Sequence, residues 1–119
     1  MNILANMYHV GMAVADIDAA AAKLGKDLAI DWAPIKTFDP LPFWTPERGM
    51  HEVTVKATYS RQGPQHMELV WCPNSPFYDP NNHPDARHIG VWVDDLAVET
   101  ERLRSAGWHF VQHASFLVT

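Results

Sequence analysis

The chain has 119 residues, 47% of them hydrophobic and 19% charged, which fits one globular domain with one core rather than a disordered chain. Fourteen acidic residues against nine basic ones give a net charge of −5, which argues against a surface that binds nucleic acid. No apolar run approaches the ~20 residues that a membrane-spanning helix needs, and the single cysteine, Cys72, excludes an internal disulfide.

The first predicted elements are a strand and a helix. Residues 8–14 form a short apolar run with β-branched residues, which is typical of a strand. Asp16 stands where a helix N-cap is expected, and a helix is predicted over 17–24. Gly25 follows at the position that glycine favours after a helix.

Three more strands and two loops are predicted in the middle of the chain. Residues 28–35 form an apolar stretch that Pro34 interrupts, as in an edge strand. Residues 51–60 alternate between apolar and polar, and residues 66–71 form the next strand after a turn at 61–64. The two segments that carry most of the prolines, 36–50 and 72–86, are predicted to be loops.

The last third of the chain predicts a second strand and helix. Residues 87–93 form the strand, Asp95 is the N-cap, and the helix runs over 96–106 before Gly107. Leu96, Leu103 and Ala106 are predicted to share one buried stripe of this helix. Residues 108–113 and 116–119 complete the predicted strands.

These two strand–helix units are copies of one another. Across the aligned columns from His9/His88 to Leu24/Leu103, five of sixteen residues are identical: His, Gly, Val, Asp and Leu. Chance similarity between two units of the same architecture is the alternative, but it does not account for an identical His and Gly at a fixed offset from each helix cap. The chain therefore carries an internal repeat.

The repeat points to a metal site. His9 and His88 occupy equivalent places on equivalent strands. Glu68 lies in a strand whose other residues are too apolar for both of its faces to be exposed to solvent. A buried carboxylate needs a partner, and two imidazoles with one carboxylate suit a divalent cation such as zinc, nickel, cobalt, iron or manganese. The alternatives are a hydrogen-bonded structural role for each histidine and a solvent-facing Glu68. His66 shares the strand face of Glu68, whereas the remaining histidines are interpreted as surface or loop residues: His51, His83, His109 and His113.

The motifs around His9, Met67-Glu68-Leu69-Val70 and His88-Ile89-Gly90-Val91 resemble those of the vicinal oxygen chelate superfamily, which includes glyoxalase I, methylmalonyl-CoA epimerase, extradiol dioxygenases and bleomycin-resistance proteins. The resemblance covers nearly the whole chain. It implies an α+β fold of paired βαβββ modules around a metal cup, with His9, Glu68 and His88 as ligands. Module one would span about 1–72, a loop 73–86, and a partial module two 87–119.

The family's fourth ligand, a Glu on the eighth strand, has no counterpart before Thr119. The resemblance therefore implies a family member truncated before its last strand, or a fourth ligand supplied by water or another subunit. The incomplete second module and the family's habit of pairing also predict a homodimer.

The family resemblance implies a metal-dependent lyase or isomerase that stabilises an enolate of a small oxygenated, apolar compound. Glu68 resembles a glyoxalase I ligand, whereas Ala13 and Cys72 replace an Arg and an Asn of the bacterial glyoxalase pattern, which argues against glutathione as substrate. Glu47 faintly resembles an epimerase base, with a solvated loop residue as the alternative. Candidate pocket residues, several of which also fit an ordinary core, are Trp32, Phe38, Phe43, Trp44, Cys72 and Trp92.

A second reading is a ligand-sequestering protein of the bleomycin-resistance type, which the five tryptophans favour. In both readings the partner is a small molecule, with no nucleic acid and no membrane. The first residues lack the basic start and apolar core of a signal peptide, and together with the lone Cys72 they predict a cytoplasmic protein.

Overall fold

The computed structural model of the chain describes residues 4–75, 78–79 and 87–114, with the backbone alone at His113. It contains eight elements in this order: β1 (Met7–Ala13), α1 (Ile17–Leu28), β2 (Lys36–Thr45), β3 (Gly49–Tyr59), β4 (His66–Trp71), β5 (Arg87–Val91), α2 (Leu96–Ser105) and β6 (His113–Ala114). The predicted strands at 116–119 and most of the predicted loop at 76–86 lie outside the described residues.

One mixed sheet holds all six strands, in the order β5-β1-β4-β3-β2-β6. β1 runs parallel to β4, because α1 intervenes between them in the chain, and every other pair of neighbours is antiparallel. β1 to β4 with α1 form one complete βαβββ unit, and β5 with α2 repeats its first strand and helix. The α+β class predicted from the sequence is confirmed.

The two faces of β4 are buried differently. Val70 and Cys72 lie on the face that also bears Glu68, and with Leu41, Phe43 and Val53 they form the hydrophobic core. Leu69, which is fully buried, points to the opposite face, and α1 packs against β4. Glu68 therefore lies at one end of the apolar core rather than on a wet surface.

Both helices begin at their predicted N-caps. The Asp16 carboxylate accepts a hydrogen bond from the Ala19 N–H at 3.0 Å, and Asp95 accepts one from Val98 at the same distance. α1 continues past Gly25 to Leu28 and ends at Ala29, which has a left-handed backbone (φ 56°). α2 ends as predicted, before Gly107 (φ 97°).

The predicted buried stripe of α2 is wrong. No residue of this helix is buried, and Leu96 and Val98 are 66% and 60% exposed. Residues 108–113 were also expected to form a strand, but only β6 is formed, and it pairs with β2 at two positions. The described chain therefore leaves the apolar side chains of α2 without a sheet face to cover them.

The prediction of a loop over residues 36–50 is also wrong, since β2 occupies most of it. Prolines normally disfavour a strand because they donate no hydrogen bond. Here the register shifts between Phe38 and Leu41, so Pro40 falls in an irregularity, and β6 covers the outer edge of β2 only at Phe43 and Trp44. The predicted strand over 28–35 is reduced to one bridge between Trp32 and Ser60, because α1 takes the start of that segment.

Candidate metal centre

Three adjacent strands bring the two histidines and the glutamate together. β1 lies between β5 and β4, and Gly11 of β1 is the register partner of both His88 on β5 and Glu68 on β4. Because Gly11 has no side chain, the imidazole and the carboxylate from its two neighbours meet over it. His9, two residues earlier on β1, lies on the same face.

The glycines are required by the rings they face. A Cβ built on Gly11 would overlap the His88 imidazole, and a Cβ built on Gly90 would overlap that of His9. The antiparallel register explains this symmetry, since His9 is opposite Gly90 and Gly11 is opposite His88. The His-X-Gly sequence shared by the two repeats is therefore one packing arrangement used twice.

The three side chains are close enough to bind one ion. The Nε2 atoms of His9 and His88 lie 3.0 Å apart, and Glu68 Oε1 lies 2.8 Å from His88 Nε2 and 3.3 Å from His9 Nε2. The side chains are 12%, 21% and 10% exposed for His9, His88 and Glu68 respectively. One ligand atom from each residue lies within 4.8 Å of the others.

Glu68 is held in its ionised form. Burial by itself would raise the pKa of this carboxyl, but hydrogen bonds from His88, His9 and Tyr59 outweigh burial and lower the pKa to about 2. Glu68 therefore carries a negative charge at neutral pH, which is the charge that a cation would neutralise.

The donor atoms fit a borderline divalent metal. Imidazole nitrogens and a carboxylate oxygen are the ligands that zinc and its first-row neighbours accept. The Nε2 atoms of His9 and His88 and one oxygen of Glu68 lie close together, so all three face the same small space. The Nδ1 atoms of His9 and His88 are buried and make no hydrogen bond within the described residues. A metal ion that binds the Nε2 atoms of both rings would fix their tautomer, with the proton on Nδ1.

Comparison with protein families agrees with this arrangement. Residues 8–117 match the model of the glyoxalase/bleomycin resistance protein/dioxygenase superfamily, which is nearly the full length of the chain. The chain belongs to this superfamily. No curated protein matched the chain in a separate search. Members of this superfamily commonly use a metal, and the His9–Glu68–His88 group could bind one.

Two tyrosines adjoin the His9–Glu68–His88 triad. Burial, a hydrogen bond with Glu68 and the charge of that carboxylate raise the pKa of the Tyr59 phenol. Burial and the charges of Glu68 and Cys72 raise the pKa of Tyr78 to about 12, although its hydrogen bond with Gln112 opposes them. Both phenols are therefore neutral donors at physiological pH.

The remaining predicted site residues lie at varying distances from the triad. Glu47 is exposed in the turn that joins β2 to β3, at the far end of β3 from Tyr59. The ten residue steps from Gly49 to Tyr59 span roughly 33 Å. Glu47 therefore does not meet the triad within this chain. Phe43 and Cys72 belong to the hydrophobic core, and Cys72 follows Glu68 on the same face at a distance of four residues.

The tryptophans are divided between structural and exposed positions. Trp32 donates its indole N–H to the Ala21 carbonyl at 2.9 Å and so ties the segment after α1 to that helix. The ring of Trp44 packs against Phe110, with centroids 5.4 Å apart. Trp92 is 66% exposed and lies 5.1 Å from Tyr8, whose ring is in turn 5.4 Å from His9. Among these three, Trp92 is thus the one whose ring is linked to the triad, through its contact with Tyr8.

His66 shares the strand face of Glu68 but has a different partner. Its Nδ1 lies 2.6 Å from the Ser60 carbonyl, and it therefore holds the ends of the β3–β4 connection together. His51 packs against Phe43 and its Nδ1 contacts the Gly49 carbonyl, while His109 is exposed. His83 lies outside the described residues, and of His113 only the backbone is described.

Sequence reasoning missed four residues at the site: Gly11, Gly90, Tyr59 and Tyr78. The glycines carried a signal, because both repeats have Gly two residues after His. Tyr59 ends the alternating apolar face of β3 with a hydroxyl group, which is a weaker signal. Its meaning depends on the register between β3 and β4, which places Tyr59 opposite Glu68. For Tyr78 the sequence pattern offered no signal.

Within the described residues, neither helix combines the length and the hydropathy that crossing a bilayer requires.

Proposed function

We propose that this protein is a metal-dependent lyase or isomerase of the glyoxalase/epimerase type, acting on a small, oxygenated and largely apolar substrate. The observation that carries the proposal is the convergence of His9, Glu68 and His88 on one point at the end of the hydrophobic core. Superfamily membership supports a small-molecule ligand.

His9, Glu68 and His88 would hold one zinc, nickel, cobalt, iron or manganese ion. Such an ion, when bound, supplies positive charge to substrate oxygens and stabilises the negative charge that develops when the neighbouring carbon loses its proton. The burial of the three side chains keeps bulk water from competing with substrate oxygens for that position.

A carboxylate must also move the proton. Because Glu47 lies at the far end of β3, we assign this role to Glu68, the carboxylate at the triad.

The aromatic surface beside the triad supports an apolar substrate. The rings of Tyr59 and Tyr8 lie 5.3 and 5.4 Å from the His9 ring and 5.6 Å from each other, and the Trp92 ring lies 5.1 Å from that of Tyr8. A flat apolar group could lie along these rings while its oxygens reach the triad.

The competing proposal is a protein that sequesters a ligand without chemistry. It is favoured by the exposed apolar side chains that follow β5, which include Trp92, Leu96 and Val98. In that case the triad would be a structural hydrogen-bond cluster, and the apolar surface would be the binding site.

Metal analysis and proton exchange distinguish the two. We expect the purified protein, after dialysis against each candidate metal, to retain about one ion per chain, and to lose it in His88→Ala but not in His66→Ala. In D₂O the loaded protein should exchange the α-proton of at least one compound from a panel of 2-hydroxy and 2-oxo carbonyl compounds. A folded protein that retains no metal, and that binds hydrophobic compounds without exchange, would instead support sequestration.

A further inference from the structure

Tyr59 occupies a special place on β3. It is the last residue of that strand and the register partner of Glu68 on β4. The preceding residues on its face, Val53 and Val55, belong to or pack against the hydrophobic core. The apolar face of β3 therefore continues to the triad, where it ends at the hydroxyl group of Tyr59.

Register partners on neighbouring antiparallel strands share one face of the sheet, so Tyr59 lies beside the Glu68 carboxylate, and a hydrogen bond between the two side chains is among the causes that shift both of their pKa values. The phenol is the donor, since an ionised carboxylate has only acceptor atoms. The ring is itself held between neighbours, with centroids 5.3 Å from His9 and 5.6 Å from Tyr8. Its position is thus set by packing and does not depend on the hydrogen bond.

We propose that Tyr59 is a positioning residue for the metal centre, which holds the Glu68 carboxylate in the orientation that binds a cation together with His9 and His88. The proposal rests on the proposed function in one respect, namely that the triad binds metal.

The physical reason is the freedom of a glutamate side chain. Glu68 has three side-chain torsions, and the two histidines contact one of its oxygens, Oε1. A third donor from a different strand restricts the rotation of the carboxylate, so less conformational entropy is lost when the ion binds. Partners of this kind typically contribute 10- to 100-fold to metal affinity.

Tyr78 provides a matched control. Its ring also lies near the triad, 5.9 Å from that of His88, and its pKa is also influenced by the Glu68 charge. Its hydroxyl, however, forms a hydrogen bond with Gln112. Loss of this hydroxyl removes a phenol from the same neighbourhood without removing the donor to the carboxylate.

The test compares the dissociation constants of Zn²⁺ and Co²⁺ for the full chain and for Tyr59→Phe and Tyr78→Phe, measured by competition with a chelator. We expect Tyr59→Phe to bind one ion about 10- to 100-fold more weakly, with a changed Co²⁺ absorption spectrum, and Tyr78→Phe to bind as the parent does. Thermal unfolding of the metal-free proteins reports whether each variant is folded.

A second pair of variants keeps the test valid if Tyr59→Phe is unstable. 4-Aminophenylalanine at position 59 retains a ring and a donor and should restore affinity, whereas O-methyltyrosine retains the oxygen without the donor and should not. Parent-like affinity in the Phe and O-methyltyrosine variants would overturn the role of Tyr59 and leave the metal site intact. Failure of the parent protein to bind either metal would overturn both the role of Tyr59 and the proposed function.

Discussion

The imidazole of His88 lies in the space that a side chain on Gly11 would fill, and His9 has the same relationship with Gly90. The two repeats therefore do more than supply one histidine each. Each repeat also supplies the gap into which the other repeat's histidine fits, so the clustering of His9 with His88 depends on β1 and β5 pairing in one register.

Alanine at either glycine should disrupt the centre. In Gly11→Ala the new methyl group overlaps the His88 ring, which must rotate away, and we expect metal affinity to fall by at least 10-fold, as it does when a ligand's support is lost. Overpacking of this kind also costs about 1 to 3 kcal/mol of unfolding free energy. Gly90→Ala should act in the same way through His9.

Val10→Ala and Ile89→Ala are the matched controls for the glycine variants. Each residue lies between the His and the Gly of its strand, but on the other face, and each is at least 40% exposed. Chelator competition and chemical denaturation on all four variants give both quantities. Unchanged metal affinity in both glycine variants would mean that the rings do not need these gaps.

Metal binding should stabilise the protein through His9, Glu68 and His88 alone. At a free metal concentration 100 times the dissociation constant, linkage predicts a gain of about 2.7 kcal/mol in unfolding free energy. His9→Ala and His88→Ala should abolish this gain, whereas His66→Ala, whose imidazole contacts the Ser60 carbonyl, should keep it while lowering the stability of the metal-free protein. Denaturant unfolding with and without metal measures both effects, and a gain that persists in His88→Ala would place the metal elsewhere.

The metal-free protein should lose stability in acid because of Glu68. Its pKa is lowered to about 2 from an ordinary value of 4.5, so the folded state binds this proton less readily than the unfolded state does. The stabilisation is therefore present above pH 4.5 and disappears as the pH falls through 2, with a total on the order of 3 kcal/mol.

Glu68→Gln is the comparison for the acid dependence, since it keeps the shape of the side chain without the titrating group. Its unfolding free energy should be lower than that of the parent at pH 6 and should approach it near pH 2. Parallel curves for the two proteins across this range would show that Glu68 does not contribute to the acid dependence.

The sequence predicted the repeat and the three clustered residues because both rest on local patterns. Asp16 and Asp95 cap their helices through contacts three residues away, and His9 with His88 stand out by their identical place in two copies. Such features need no knowledge of which strands are neighbours.

The errors arose where tertiary context outweighs local propensity. Pro40 suggested a loop, but the sheet accommodates it at an irregularity of β2. The apolar residues of α2 suggested a buried stripe, yet a helix face is buried only where a sheet covers it, and Leu96 remains exposed. Tyr59 was missed because its role follows from cross-strand register with Glu68, which the alternation of β3 does not specify.

The two helix caps offer a test of how differently the repeats are anchored. Asp16 and Asp95 make equivalent N-cap hydrogen bonds, and loss of such a cap typically costs about 1 kcal/mol. α1 buries Ile17 and packs on β4, so its helix forms only with the core. We therefore expect Asp16→Ala to lower the global unfolding free energy by about this amount.

Asp95→Ala should behave differently, because α2 has no buried residue and can unfold without the core. Its main effect should be faster amide hydrogen exchange in residues 98–106, with little change in global stability or in metal affinity. Ser105→Ala, near the C-terminal end of α2, is the control that leaves the cap intact. Equal losses of global stability in Asp16→Ala and Asp95→Ala would show that α2 is as firmly coupled to the sheet as α1, which would require a surface that covers Leu96 and Val98.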